Sequence, residues 1–214
     1  MHFTRPKLNY FIEQHGATML HYPSIICPCV QTDGQATRNC PTCAGWGIIW
    51  STPTTVKANI TNNLPKKQFM DFGILNPGSV FATFKSDMSI NNFDKFILQD
   101  TTNLITKSQI LKKGELLPNA TTAEKTIFST IVSVTQLRTL TTIYIENTDF
   151  RIVNGNEVQW ITAGPAAGTD YTIKYKAKPE YLIWSELPKQ RNENTQVLPL
   201  YVVLTRIDMV KQDE

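Results

Sequence analysis

The fold is decided by the stretch FRIVNGNEVQWI, residues 150–161, in which two short runs of strand-forming residues flank Asn154-Gly155-Asn156. An Asn-Gly pair favours the left-handed backbone that a tight β-hairpin turn needs. The Val, Ile, Phe and Trp residues on either side are typical of strands, because β-branched and aromatic side chains pack well on a pleated surface. The stretch therefore predicts an antiparallel hairpin.

Similar patterns recur on both sides of this hairpin, with turn signals between them. We predict further strands at 56–60, 78–84, 93–100, 126–134, 141–145, 171–177 and 200–207. The helical pattern is short and covers 8–16, with Gly16 as a natural C-cap. Many strands at short spacing with little helix predict a mainly β protein built from small β-barrel or sandwich units.

Four cysteines lie in a stretch that is rich in Pro and Gly and shows no lasting periodicity: Cys27, Cys29, Cys40 and Cys43. The Cys-x-x-Cys half, followed by Gly45, is the pattern of a zinc knuckle, whose tight turn brings two thiolates to one ion. The Cys-x-Cys half is less usual, but an extended or bulged backbone can turn both sulfurs to one side. We predict that all four bind one structural zinc, which staples this N-terminal loop and leaves no coordination position for water.

Other roles for the cysteines are open from sequence alone. A redox Cys-x-x-Cys would sit at a helix N-terminus in a βαβ unit, and no such unit is visible. An iron–sulfur cluster also takes four thiolates, and disulfides are a further alternative. His21, six residues before Cys27, is an alternative fourth ligand. Because no signal peptide is apparent, we expect a reducing compartment, which favours metal ligands over disulfides.

Charge and hydropathy narrow the classes of partner. The net charge is +3 and the pI about 8.6, and Lys and Arg are spread along the chain, so the sequence predicts no nucleic-acid-binding face. The short basic clusters Lys66-Lys67 and Lys112-Lys113 are predicted to be solvated turns. No apolar run approaches the ~18 residues needed to cross a bilayer, so we predict no membrane partner.

No constellation of residues predicts catalysis. The three histidines lie near the N-terminus, away from any nucleophile motif, and there is no phosphate-binding Gly loop. Asp94, Asp100 and Asp149 fall at strand edges or turns, where Asp is commonly structural. We therefore predict a protein that is not an enzyme, with no catalytic or cofactor-binding residues. A group of C-terminal aromatic residues could form a ligand platform, but core and edge packing is the preferred interpretation: Trp160, Tyr171, Tyr175, Tyr181 and Trp184.

The pattern along the chain predicts four segments. They are an N-terminal arm at 1–22, a zinc-binding cysteine loop at 23–50, a small β-barrel at 51–110, and a β domain with hairpins and a C-terminal strand at 111–214.

Several stretches resemble proteins of tailed-phage virions. Residues 149–160 and 165–175 resemble a recurrent pattern of Asp-Tyr, hairpin, Trp, Pro-x-x-Gly and Tyr-Thr-Val-x-Tyr. Residues 186–191 and 198–208 are similar to the ends of some phage neck proteins. The segment 73–100 resembles the small barrels of head-closure (stopper) and head–tail adaptor proteins.

The resemblance implies a virion structural protein, made in the host cytoplasm, that forms or joins a homo-oligomeric ring at the head–tail neck as a connector or stopper. Its partners would be portal, adaptor and tail proteins, with DNA only as passing cargo. A baseplate or tail-attachment structural protein is the alternative. A zinc-ribbon nucleic-acid-binding module is less favoured, because it needs a basic face near the cysteines and that stretch has one basic residue, Arg38.

Overall fold

The computed structural model of the chain describes residues 4–30, 34–37, 40, 42–43, 45–61, 78–100, 102–114, 124–185, 192–193, 196–197 and 200–210. The predicted turn at Lys66-Lys67 and the phage-like stretch 186–191 lie outside the described residues.

The described chain is mainly β, which confirms the predicted fold class. Its elements, in chain order, are α1 (Arg5–His15), β1 (Ala17–Tyr22), β2 (Ser24–Ile26), β3 (Ile48–Trp50), β4 (Thr54–Thr61), β5 (Ser79–Phe84), β6 (Lys95–Leu98), β7 (Ile105–Lys112), β8 (Ile131–Arg138), β9 (Ile143–Tyr144), β10 (Phe150–Val153), β11 (Glu157–Trp160), β12 (Asp170–Ala177), β13 (Glu180–Ser185), β14 (Asn192–Glu193), β15 (Gln196–Val197), β16 (Leu200–Arg206) and α2 (Ile207–Val210). Neither described helix is long and apolar enough to span a bilayer.

Six antiparallel strands form a closed barrel in the order β1-β4-β5-β16-β13-β6, and β6 pairs back onto β1. Closure gives every barrel strand two hydrogen-bonded neighbours, which removes the open edges of a sheet. Alternate residues of each strand point inward and fill the interior. The barrel core consists of Met19, Ala58, Ala82, Phe84, Phe96, Leu98, Tyr181, Ile183, Val202 and Leu204.

A buried histidine and a buried carboxylate join two strands of the barrel. His21 Nε2 lies 2.7 Å from Asp94 Oδ2, and the imidazole stacks on Phe96 with 4.7 Å between ring centroids. The backbone N–H groups of Ser24 and Asn91 also donate to the Asp94 carboxylate. Burial acts to raise the pKa of Asp94, but these hydrogen bonds outweigh burial and hold that pKa below its usual range.

The predicted N-terminal helix is present and longer than the pattern indicated. It begins at Arg5, with Pro6 in its first turn, and buries Ile12. Gly16 is the C-cap, and its N–H donates to the Ile12 carbonyl at 2.8 Å. Glycine is needed there for close approach, since an added Cβ would lie 2.4 Å from the Ile12 oxygen.

The chain divides into two compact units. The first comprises Met1–Ile25, Trp50–Asp100 and Glu180–Glu214, and the second comprises Ile26–Ile49 and Thr101–Pro179. The predicted segments do not follow these units: the barrel takes β1 from the predicted arm 1–22, and β13 and β16 from the predicted domain 111–214. Barrel neighbours are selected by register and inward-facing side chains, so they need not be close in sequence.

The second unit contains a four-stranded sheet in the order β7-β12-β8-β9 and the two-stranded hairpin β10-β11. The hairpin is the predicted one: Asn154 and Gly155 have φ of 51° and 84°, as a primed turn requires. Strand β7 is missing from the predicted strands, which leave a gap between residues 100 and 126. Its inward face carries the polar Gln109, whose Oε1 accepts a hydrogen bond from Tyr175, so apolar alternation does not reveal the strand.

We expect Asp94→Asn to lower the free energy of unfolding at neutral pH by about 2–4 kcal/mol, because three donors lose a buried carboxylate acceptor. The folded-state pKa of Asp94 is lowered, so its contribution is present above about pH 3.9 and is lost as pH falls through the folded-state pKa. Urea unfolding at pH 7 and at acidic pH measures both. Asp87→Asn, at an exposed position, is the matched control. Equal losses for the two variants would contradict this role.

Candidate metal centre

The four predicted cysteines come together and can hold one metal ion. All four Sγ atoms lie within 4.8 Å of one another. The sulfurs of Cys27 and Cys40 are 3.8 Å apart, and those of Cys29 and Cys43 are 3.4 Å apart. These separations are well beyond the ~2.05 Å of a disulfide bond, and all four thiols are free.

The spacing of the sulfurs matches a single tetrahedral site. A metal that lies about 2.3 Å from four thiolates has sulfur–sulfur edges of about 3.8 Å. One observed pair, at 3.8 Å, has that separation, and the other is shorter, at 3.4 Å. Cys27, Cys40 and Cys43 are buried and Cys29 is partly buried, so a bound ion would be largely shielded from solvent.

Gly47 links the two halves of the site through its backbone. Its carbonyl accepts a hydrogen bond from the Cys27 N–H at 2.8 Å, and its own N–H donates to Cys43 Sγ at 3.3 Å. The Cys-x-Cys half is closed by a turn in which the Val30 N–H donates to the Cys27 carbonyl. The Cys-x-x-Cys half ends with Gly45, whose φ of 83° is the left-handed conformation that the knuckle pattern predicts.

Backbone N–H groups also act on the other sulfurs. The Cys29 N–H interacts with Cys27 Sγ, and the Thr37 N–H interacts with Cys29 Sγ. The N–H groups of Cys43 and Thr42 lower the pKa of the Cys40 thiol to about 6. Each sulfur therefore faces at least one donor that can bond its thiolate, the form that binds metals. For Cys27 the net direction is still a raised pKa, because burial and the neighbouring thiols outweigh the Cys29 N–H.

Burial, followed by hydrogen bonding to neighbouring thiols, raises the pKa of the Cys29 thiol to about 12. The Cys29 thiol therefore keeps its proton at neutral pH in the metal-free cluster. Binding of a divalent ion would displace thiol protons and partly offset the negative charge of the four thiolates.

Gly47 is the functional position that the sequence motif alone did not single out. Its φ is 70°, and an added Cβ would lie 3.1 Å from Ala36 Cβ and 3.2 Å from Val30 Cγ2. The signal was present as a second glycine after the Cys-x-x-Cys pair. Only the fold shows that this glycine approaches the Cys-x-Cys half and makes backbone hydrogen bonds with both halves of the site.

His21 does not belong to the cysteine cluster, so the alternative that it is a ligand is wrong. The structure places it on β1, where its Nε2 contacts the Asp94 carboxylate. The residue is also buried, with 5% of its surface exposed. Its spacing from Cys27 is short in sequence, but strand alternation directs the side chain into the barrel.

The C-terminal aromatic residues do not form one platform. Tyr181 is in the barrel core, whereas Tyr171 and Tyr175 are fully buried in the second unit. Trp160 packs edge-on against Tyr171 with 5.4 Å between ring centroids. Core packing is therefore the role of the described members, and the side chain of Trp184 lies outside the described residues.

A buried carboxylate organises these aromatic residues. Glu124 accepts hydrogen bonds from the Tyr171 hydroxyl and, at 2.8 Å, from Trp160 Nε1. The Gly114 N–H and the Lys113 ammonium approach its other oxygen at 2.8 and 3.6 Å. Burial, then the bond to Glu124 and its charge, raises the pKa of Tyr171. Lys113 is therefore part of an ion pair and not a solvated turn residue.

No protein-family model matches this chain, and no curated protein matches it.

We expect Cys40→Ser and Cys43→Ser each to lower the bound metal from about one ion per chain to near zero, because a Ser hydroxyl does not replace a thiolate. Elemental analysis after gel filtration measures the metal content. Thr42→Ala is the matched control, since this exposed residue lies between the two cysteines and contributes only its backbone N–H. Metal that survives either cysteine change would refute the ligand assignment.

We expect Gly47→Ala to weaken metal binding by about 1–2 kcal/mol more than Gly34→Ala, which is roughly 5- to 30-fold. Both glycines have positive φ, but a Cβ at Gly34 meets nothing within 4 Å, so the control isolates the contacts with Val30 and Ala36. Competition with a chromogenic chelator gives both affinities. Equal affinities would show that the close approach of Gly47 is unimportant.

Proposed function

We propose that this chain is a non-enzymatic structural protein of a tailed-phage virion, which forms or joins a ring at the head–tail neck, and that its cysteine cluster holds a structural zinc ion. The phage class comes from the resemblance of the hairpin, barrel and C-terminal stretches. The case for assembly comes from the surface of the second unit.

The observation that carries the proposal is a set of three strongly exposed aliphatic side chains in that unit: Leu140, Ile145 and Ile161. They are 95%, 63% and 53% exposed. The N–H of Ile145 donates to the Asp149 carboxylate, and the N–H of Ile161 donates to the Asp149 carbonyl, so these two residues are neighbours. Exposed apolar groups of this kind mark interaction sites, and a ring subunit needs such a patch at its lateral contacts.

The buried polar groups support a structural role over a catalytic one. The carboxylates of Asp94 and Glu124 are each saturated by hydrogen bonds from within their own unit. Among the described residues, no buried side-chain nitrogen or oxygen lacks a hydrogen-bond partner. Groups that are engaged in this way hold strands in register and are not poised to exchange protons with a substrate.

The choice of zinc follows from the compactness of the cluster. A multi-iron cluster places two or more metal ions and bridging sulfides between its thiolates, which separates them beyond the edges of one tetrahedron. The 4.8 Å limit on the sulfur separations therefore favours a single ion. Zinc suits a closed four-thiolate site that only stabilises structure. A colourless protein with zinc by elemental analysis supports this choice, and visible thiolate-to-iron absorption would contradict it.

We expect the zinc-loaded chain to assemble beyond its 24.2 kDa monomer, and Leu140→Asn to weaken that assembly by about 2 kcal/mol per contact, because an apolar side chain loses its burial. Size-exclusion chromatography with light scattering over a concentration series measures the effect. Val132→Thr, an isosteric polar change at another exposed aliphatic residue of the same unit, is the control and should assemble normally.

A monomer at every concentration, without affinity for portal or tail proteins, would contradict the ring proposal. Assembly onto tail components alone would favour the baseplate alternative instead.

A further inference from the structure

The second unit carries the excess positive charge of the chain. Residues 101–179 contain nine Lys or Arg and six Asp or Glu, and the rest of the sequence contains 12 of each. The whole net charge of +3 therefore belongs to this segment. Its distribution in three dimensions decides whether the excess is dispersed or concentrated.

The central strand of the four-stranded sheet displays two lysines to solvent. On β12, buried and more exposed residues alternate, with Tyr171, Ile173 and Tyr175 on the covered face. Lys174 and Lys176 lie on the opposite face, where both are exposed. Residues two apart on a strand are about 7 Å apart along it, so the ammonium groups form a short row.

The neighbouring strands extend this row. Lys112 on β7 is opposite Asp170, and Arg138 on β8 is opposite Thr172, so both basic residues share the outward face of β12. We call Lys112, Arg138, Lys174 and Lys176 the basic face. Asp170 is the one acidic residue at the outward positions of β7, β12 and β8, all of which the structure describes.

Two acidic residues of the unit pair with lysines outside the basic face. Glu124 pairs with Lys113, and Glu157 pairs with Lys125 at 2.8 Å. These carboxylates are buried or partly buried and are already engaged. They therefore do not offset the charge of the basic face.

The basic face itself is not neutralised by the described chain. Lys112, Lys174 and Lys176 make no ion pair with any described carboxylate. The Arg138 guanidinium donates to the carbonyls of Thr139 and Leu140, which fixes its position without cancelling its charge. Four cations thus stand against one exposed carboxylate, that of Asp170.

Neutral hydrogen-bonding side chains fill the positions between the cations: Thr106, Ser108, Ser133, Gln136 and Thr172. Lys, Arg, Ser, Thr and Gln are the side chains that contact nucleic-acid phosphates. Ile110 and Ile143 lie on the flanking strands of the same face and can contact sugar carbons. Four strands span about 14 Å, wider than the ~12 Å major groove, so the face fits the outside of a duplex.

We propose that the basic face binds the sugar–phosphate backbone of double-stranded DNA without sequence preference. The pattern of charges and hydrogen-bond donors does not depend on the proposed function. The choice of DNA as the polyanion rests on the proposed virion role, in which DNA passes the neck. The sheet would act as a rigid electrostatic surface beside the passing duplex.

Fluorescence anisotropy with the zinc-loaded full chain and a labelled 30-bp duplex tests the proposal. Four phosphate contacts predict a slope of about −3.6 for log affinity against log salt, and roughly 100-fold weaker binding at 200 mM than at 50 mM salt. Lys174→Gln with Lys176→Gln should reduce the slope by about 1.8 and weaken binding at 50 mM roughly tenfold or more.

Two control variants separate position from net charge. Lys174→Arg with Lys176→Arg should retain binding, because the charges stay in place. Lys7→Gln removes an exposed lysine from α1 and should also bind normally. Thermal melts and zinc content establish that each variant is folded.

Absence of binding at 50 mM salt, or binding that the double Gln variant leaves unchanged, would overturn the proposal. Tighter binding of polyglutamate than of DNA of equal charge would overturn the assignment to DNA. Light scattering on the same samples separates the two proposals. Assembly without DNA binding refutes only the basic face, and DNA binding by a persistent monomer refutes only the ring.

Discussion

The buried carboxylate of Asp94 joins several segments of the first unit. It accepts hydrogen bonds from His21 on β1, from the Ser24 N–H at the start of β2, and from the Asn91 N–H. Its own carbonyl accepts the Ile183 N–H from β13. A buried carboxylate is tolerated only when it is saturated by donors, so these contacts also fix the relative positions of the strands that supply them.

The cysteine loop is stabilised in a different way. Among the described residues of the loop, the apolar side chains that pack on the four cysteines are those of Val30, Trp46 and Ile49, and they are only partly buried. Such a loop cannot offset its ordering entropy by burial alone. The turns that aim N–H groups at the sulfurs, with Gly47 joining the two halves, prepare a site in which metal binding supplies the missing free energy.

In the second unit, Glu124 is a second buried carboxylate that is saturated by hydrogen-bond donors. This carboxylate holds Tyr171, Trp160 and Lys113 together from separate parts of the chain. Glu124 and Glu157 pair with Lys113 and Lys125, so they are not partners of the basic residues on the outer sheet face.

Features whose causes are local could be predicted from the sequence. The Asn154-Gly155 turn and the helix that ends at Gly16 follow from backbone preferences within a few residues, and the candidate metal ligands follow from the cysteine spacing. Features that depend on distant partners appear only in the folded structure. Strands β1 and β7 carry the inward polar residues His21 and Gln109, so their apolar alternation is hidden in the sequence. The partner of His21 is Asp94, and Gln109 accepts from Tyr175 and from the Ile127 N–H. The barrel order and the basic face likewise depend on strand register, which places residues that are far apart in the chain side by side. A strand's neighbours, and not its own sequence, therefore fix which charged residues share one surface.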